Sequence, residues 1–200
     1  MADSKISALA ALTGANVANT SDVLLIVDTS TTTDKKILVS ELSLAMNKNG
    51  TQQATTSGTE FDFTIPAWAT KVSVLSAGMG TNGTSQIIVQ LGDAGGIENA
   101  SYSGAVTTQA GTVVAYSSGF MLTANQQAAR IWEGSLELTL ENASTFTWSG
   151  SSVMAASDSA ISVHTGAGRK STSAAMTTVR ITTVNGTDTF DAGAVNVLYS

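Results

Sequence analysis

The 200-residue chain has no cysteine, one proline and one histidine, and only 12% of its residues are charged. The missing cysteines exclude disulfides, thiolate metal sites and thiol nucleophiles. A single imidazole, His164, excludes any site that needs two. Basic residues are also scarce: nine Lys and Arg stand against fifteen Asp and Glu, for a net charge of −6. The nine are scattered, so the clustered cations that phosphate binding requires are absent and nucleic acid is not an expected partner. Met1 to Leu12 carries one lysine and no long apolar run, and reads as neither a signal peptide nor a membrane anchor.

What the chain does have is small and hydroxylated. Ser and Thr make up roughly a quarter of it, and 18 glycines punctuate it throughout, a composition suited to many short strands joined by tight turns. Strands are predicted at Glu60–Thr64, Lys71–Met79, Ser85–Leu91, Ser135–Leu140, Thr145–Val153, Ala160–His164, Met176–Val184 and Val195–Tyr199. Several alternate with a period of two. Leu136, Leu138 and Leu140 face away from Glu137, Thr139 and Glu141, and Phe146 and Trp148 from Thr145, Thr147 and Ser149. Asn82-Gly83 and Asn185-Gly186 each stand between apolar runs and read as hairpin turns. Gly92–Gln127, rich in Gly, Ser and Thr, reads as surface loops with short strands at Ala105–Thr108 and Gly119–Leu122. No internal repeat is visible.

Near the start, the apolar run Val23–Val27 between Asp22 and Asp28, a turn, and Lys35–Val39 read as a small β-hairpin. Ser40 then caps a short helix through Met46. The polar stretch 49–58 has no apolar periodicity and reads as a linker. The expected organisation is therefore an N-terminal module over 1–48, a linker over 49–58 and a β domain over 59–200. The fold class is mainly β: an antiparallel β-sandwich or jelly-roll-like body with a small hairpin and short-helix anchor module.

Catalytic constellations are weak. Thr165–Thr172 fails the P-loop template, because aligning Lys170-Ser171 with Lys-Ser/Thr puts Arg169 and His164 where glycines belong; it reads as a flexible hairpin tip. His164 has many serines around it in a serine-rich chain but no Gly-x-Ser-x-Gly elbow, and reads as a strand-end or surface residue. Asp93, Glu98, Asp188 and Asp191 do not match the spacing of a calcium loop or mark out a glycosidase pair. No catalytic residue, cofactor or metal is assigned, and an enzyme acting on polysaccharide is the weakest reading. Six Asn-x-Ser/Thr sequons follow from composition alone. The few aromatics Trp68, Trp132, Trp148, Tyr102 and Tyr116 are the rings that could line a carbohydrate-binding surface, with core as the other reading for Trp148 and Trp132. Tyr102 and Tyr116, in the Gly/Ser-rich region, read as exposed and are the candidate contacts to a receptor or glycan.

A β protein with so few charges has little of the Lys and Pro that usually guard sheet edges, which implies that neighbouring copies or other chains cover them. Two stretches add a resemblance. Lys5-Ile6-Ser7-Ala8-Leu9-Ala10-Ala11-Leu12-Thr13-Gly14-Ala15-Asn16-Val17, Asp22–Asp28 and Thr33–Leu42 resemble the N-terminal module of tailed-bacteriophage fibre and head-surface proteins. Phe61–Tyr102, with Ile65-Pro66-Ala67-Trp68-Ala69 and Val89-Gln90-Leu91-Gly92-Asp93, resembles a β domain of phage tail-fibre-like proteins.

The resemblance implies a virion structural protein, a homotrimer made in the host bacterial cytoplasm and carried on the virion surface. Ile6, Leu9, Leu12, Val23, Leu24, Leu25, Ile26, Val27, Ile37 and Leu42 would attach it to other virion proteins of the capsid or tail. A capsid-decoration or head-fibre role suits a chain without a long stalk. The alternative is a short tail fibre that recognises a host surface glycan.

Overall fold

The computed structural model describes residues 23–28, 33–38, 48–158 and 161–200. The chain divides into two compact units, Met1–Asn47 and Lys48–Ser200. In the first, β1 (Val23–Asp28) pairs antiparallel with β2 (Thr33–Leu38), Val23 opposite Leu38 and Asp28 opposite Thr33. This is the predicted hairpin, with Val23, Leu24, Leu25, Ile26 and Val27 on β1 and Ile37 on β2. The predicted helix over 40–46 and the attachment residues Ile6, Leu9, Leu12 and Leu42 lie outside the described residues.

The second unit contains β3 (Lys48–Asn49), β4 (Gln53–Ala54), β5 (Glu60–Thr64), β6 (Lys71–Thr81), β7 (Ile87–Asp93), β8 (Gly96–Glu98), β9 (Ser103–Thr108) and β10 (Val113–Tyr116). It continues with β11 (Phe120–Met121), β12 (Trp132–Asn142), β13 (Thr147–Ala156), β14 (Ser162–Ser171), β15 (Thr178–Thr183) and β16 (Phe190–Tyr199). Nine of them form one antiparallel sheet in the order β10-β9-β14-β13-β12-β6-β16-β3, with β4 also on β16. Five form a second, β11-β7-β15-β5, with β8 on β7. The fold is mainly β and sandwich-like.

The alternation read from the sequence sets the faces. On β12, Trp132, Leu136 and Leu138 are buried while Glu133 and Glu137 are exposed. Strand β7 is buried at every position, which is why Ile87–Leu91 is a continuous apolar run apart from Gln90. Between the sheets lie Phe63, Val72, Val74, Phe120, Trp132, Val179, Ile181 and Phe190, and each such side chain contributes about 1.5–3 kcal/mol by leaving water.

Four expectations are corrected. The stretch 49–58 is not a linker: β3 and β4 pair with β16, Thr55 is fully buried, and its hydroxyl donates to the Ala192 carbonyl at 2.6 Å. Neither Asn-Gly turn closes a hairpin, since Asn82-Gly83 leads from β6 to β7 and Asn185-Gly186 from β15 to β16, each time from one sheet to the other. The two turns bind one another instead. Ser85 N–H donates to Asp188 at 2.9 Å and Thr189 N–H to Asn82 at 2.9 Å. Residues 92–127 are not surface loops but supply β8 to β11 and part of the core. Residues 165–171 lie inside β14, not at a hairpin tip.

Candidate functional site

The outer face of the large sheet carries adjacent rows of uncharged side chains, bordered on β14 by Arg169, which pairs with Glu141. One row runs Val113, Thr107, Thr165, Val153 and Ser135 across β10, β9, β14, β13 and β12. The next runs Ala115, Ala105, Ala167, Ser151 and Glu137, and the glutamate is the first charge met from the β10 side. Val113 is 67% exposed and Val153 57%, with Ile161 and Val163 exposed beside them. A shallow depression of about 440 Å³ lies among Ala105, Thr107, Val113, Thr165 and Ala167. Strand β10, Val-Val-Ala-Tyr, forms the free edge of this sheet and carries no lysine, proline or other charge.

Under the same sheet, His164 is fully buried in the interior of β14, which corrects its reading as a strand-end or surface residue. Its Nδ1 accepts the Ala124 N–H at 3.0 Å, which fixes the proton on Nε2, and Nε2 is buried without a hydrogen-bond partner. The imidazole packs on Trp132 with ring centroids 4.6 Å apart. Trp132 Nε1 donates to Gln126 Oε1 at 2.5 Å, and Gln126 Nε2 donates to Thr81 at 2.9 Å. Burial, with the positive charge of Arg130 second, pushes the His164 pKa down to about 4. The ring is therefore neutral at pH 7, and neither nitrogen holds a hydroxyl that it might activate. Arg130 stands over Trp132 and pairs with Asp158 at 3.5 Å, on the wall of a cavity of about 400 Å³ shared with Thr108, Asn125 and Ser162.

The candidate receptor contacts are corrected as well. Tyr102 is 3% and Tyr116 7% exposed, and both rings meet Phe120 edge-on, at 5.4 and 6.3 Å. The Tyr102 hydroxyl accepts the Leu91 N–H at 2.7 Å and donates to the Glu98 carbonyl at 2.9 Å. Burial raises the pKa of both phenols, that of Tyr116 to about 12. Asp93 and Glu98 are occupied structurally. Asp93 accepts from Ser173 Oγ at 2.5 Å and from the N–H groups of Gly95 and Ala174, both at 2.8 Å, while Glu98 pairs with Lys170. The Ser173 hydroxyl, then the Gly95 amide, hold the Asp93 pKa below its ordinary value.

A third feature lies where three connections meet at one end of the second unit: 65–70 between β5 and β6, 143–146 between β12 and β13, and 172–177 between β14 and β15. Ile65 N–H donates to the Thr177 carbonyl at 2.7 Å, Thr172 N–H to that of Phe146 at 3.2 Å, and Leu140 N–H to that of Thr70 at 2.8 Å. Between them is a cavity of about 90 Å³ whose walls include Ala67, Ala69, Leu140, Phe146, Trp148 and Met176. Trp148 is buried as expected, but its Nε1 has no hydrogen-bond partner. Phe146 is not on a strand face: it sits in the turn before β13 with φ at +49°, and its carbonyl accepts from both the N–H and the hydroxyl of Thr172. Trp68, 51% exposed, meets Tyr199 edge-on at 5.8 Å.

Sequence reasoning missed the outer face because two of its strands, β9 and β10, lie in the Gly/Ser-rich segment, where alternation between small residues is faint. It missed the loop-end cavity because the three connections are far apart in the chain; the signal at hand was Trp68 beside the single proline. Among the described residues, no group of three or more His, Cys, Asp or Glu is placed to hold a metal ion. No family model, curated protein or solved structure matches the chain.

Proposed function

We propose that this chain is a phage virion structural protein, a homotrimeric capsid-decoration or head-fibre subunit whose N-terminal unit attaches to the particle and whose β body lies on its surface. The observation that carries the reading is the stretch of outer face from Val113 across Thr107, Thr165 and Val153 and from Ala115 across Ala105, Ala167 and Ser151, which carries no charge until Arg169 and Glu137 at its border and ends in an edge strand without charge or proline. Such an edge offers a row of unpaired N–H and C=O groups to a neighbouring chain, and the valines beside it bring apolar area to the same contact.

The likeness of Lys5–Val17, Asp22–Asp28 and Thr33–Leu42 to virion-attachment modules supports the location. Three copies joined through their bodies would hold three such modules together, so each attachment raises the effective concentration of the next. The test combines sedimentation of the purified chain with imaging of particles from infected cells. A trimer at micromolar concentration and density for the chain on the capsid surface are expected. A monomer that never binds particles would overturn the reading.

A further inference from the structure

We propose that Asn82 is a site of spontaneous modification: its side-chain amide closes on the Gly83 nitrogen and opens to aspartate and isoaspartate, while the other Asn-Gly pairs of the chain are held against the same reaction. This chemistry is independent of attachment to a particle.

Asn-Gly occurs three times, at 49–50, 82–83 and 185–186. Such a pair is reactive because its second residue has no Cβ to keep the backbone nitrogen away from the asparagine Cγ. The glycine nitrogen gives up its proton and attacks Cγ. The N–Cγ bond forms, the Cγ–Nδ2 bond breaks, and Nδ2 leaves as ammonia. Water then opens the five-membered imide at either carbonyl. Opening at Cγ restores the original main chain with aspartate in it, and opening at the backbone carbon leaves isoaspartate, in which the chain runs through Cγ. Water is the only reactant consumed.

The three pairs differ in what their nitrogens hold. Gly50 N–H donates to the Val197 carbonyl at 2.6 Å, and Gly186 N–H to the Thr183 carbonyl at 3.0 Å. The Asn185 amide is engaged at both ends as well. Its Oδ1 accepts from the Thr183 hydroxyl and from the N–H groups of Thr187 and Asp188, and its Nδ2 donates to Asp188 at 2.6 Å. Among the described residues, neither the Gly83 N–H nor Asn82 Nδ2 has an acceptor. Asn82 Oδ1 accepts the Thr189 N–H at 2.9 Å, which draws electron density from Cγ and would steady the oxyanion that forms there. The attacking nitrogen is thus free, the carbonyl polarised and the leaving group unrestrained, on an exposed side chain in the turn from β6 to β7.

The fold also keeps the reactive glycine in place. A Cβ at residue 83 would collide with the Asp188 carboxylate, so a residue that shields Cγ does not fit there. Conversion puts a second carboxylate into the turn against which Asp188 packs. Isoaspartate further lengthens the main chain by one atom where the Asn82 N–H meets the Thr189 carbonyl. The product therefore loosens the pairing of the two turns that carry the chain from one sheet to the other.

The full chain is aged at mildly alkaline pH, both folded and in urea, and digested in acid. The three asparagines are followed by the mass gain from amide to acid, with electron-based fragmentation separating aspartate from isoaspartate. In the folded chain Asn82 should convert faster than Asn185 or Asn49 by about fivefold or more, because each of the other two must first break the hydrogen bond of its attacking nitrogen. In urea the three rates should draw together. Asn82→Gln, whose ring would be one atom larger, should stop conversion at this position and leave the other two rates unchanged. Asn82→Asp, which is one of the two products, should lower the urea midpoint. Asn185 or Asn49 converting as fast as Asn82 in the folded chain, or folding slowing all three alike, would overturn the site. An unchanged midpoint in both Asn82→Asp and the isoaspartate fraction would overturn the loosening of the turns.

Discussion

The hydroxyl of Tyr116 occupies the place where a Cβ on Gly104 or Gly168 would stand. The two glycines face each other across β9 and β14, Gly168 also faces Gly150 on β13, and the Phe120 ring covers Gly150 in the same way. Three adjacent strands thus leave a trough without side chains, and the aromatic cluster fills it.

Replacing Gly168 with alanine drives a methyl against Tyr116 and the Ser103 carbonyl. Overpacking of this kind should cost about 1–3 kcal/mol, read as a lower urea midpoint at constant m-value. Because the clash is with Tyr116 in part, Gly168→Ala combined with Tyr116→Leu should lose less than the sum of the two single variants. Additive losses would show that the phenol yields freely.

Stability should depend on pH through His164. Its folded pKa, near 4, lies below the ordinary value of 6.5, so between these values the unfolded chain binds the proton that the native ring refuses. The contribution is complete above pH 6.5, falls as the pH drops from there towards 4, and is lost below that. Asp93 acts lower on the scale: its pKa is held beneath 3.8, so its contribution is present above 3.8 and disappears as pH falls through the folded value. Urea denaturation from pH 7 to 4 should therefore show a decline that His164→Gln, which keeps an acceptor for Ala124 N–H, largely flattens.

The outer face of the large sheet should govern self-association. Val153→Glu and Val113→Lys place charges on side chains that are 57% and 67% exposed, so the chain should keep its folding stability within about 0.5 kcal/mol. Sedimentation equilibrium should nevertheless show dissociation. An unaltered oligomer would move the interface elsewhere.

Arg180 on β15 holds Asp62 through two hydrogen bonds of 2.7 Å and Glu60 through a third nitrogen contact of 2.7 Å. The side chains are partly solvent-exposed, so a double-mutant cycle of Arg180→Met with Asp62→Asn should give a coupling of only about 0.2–1 kcal/mol, diminishing with added salt. A larger coupling would mean that this end of the small sheet is shielded from water.

How legible the fold was depended on side-chain contrast. Leu136, Leu138 and Glu137 announced β12 because leucine and glutamate differ sharply in hydration, and Phe61–Thr64 announced β5 for the same reason. Around Ala115, where valine, alanine, threonine and glycine alternate, contrast fell and β10 read as a loop, while β9 was read only as the shorter stretch Ala105–Thr108. Tyr116 was misplaced on the surface because nothing local reveals that Gly168 makes room for its ring, and Tyr102 because the Leu91 N–H that its hydroxyl accepts lies on another strand. The Asn-Gly pairs correctly marked turns. Whether a turn returns within a sheet or passes to the opposite one depends on partners far along the chain.

Strand β16 lies between β6 on one side and β3 and β4 on the other, and the Ser200 carbonyl accepts the N–H groups of Thr70 and Lys71. During synthesis, until residues 190–199 clear the ribosome, β6 keeps an open flank and β3 and β4 have no neighbour. The nascent body therefore carries an additional open flank until β16 arrives, and β16 then covers β6 and secures β3 and β4.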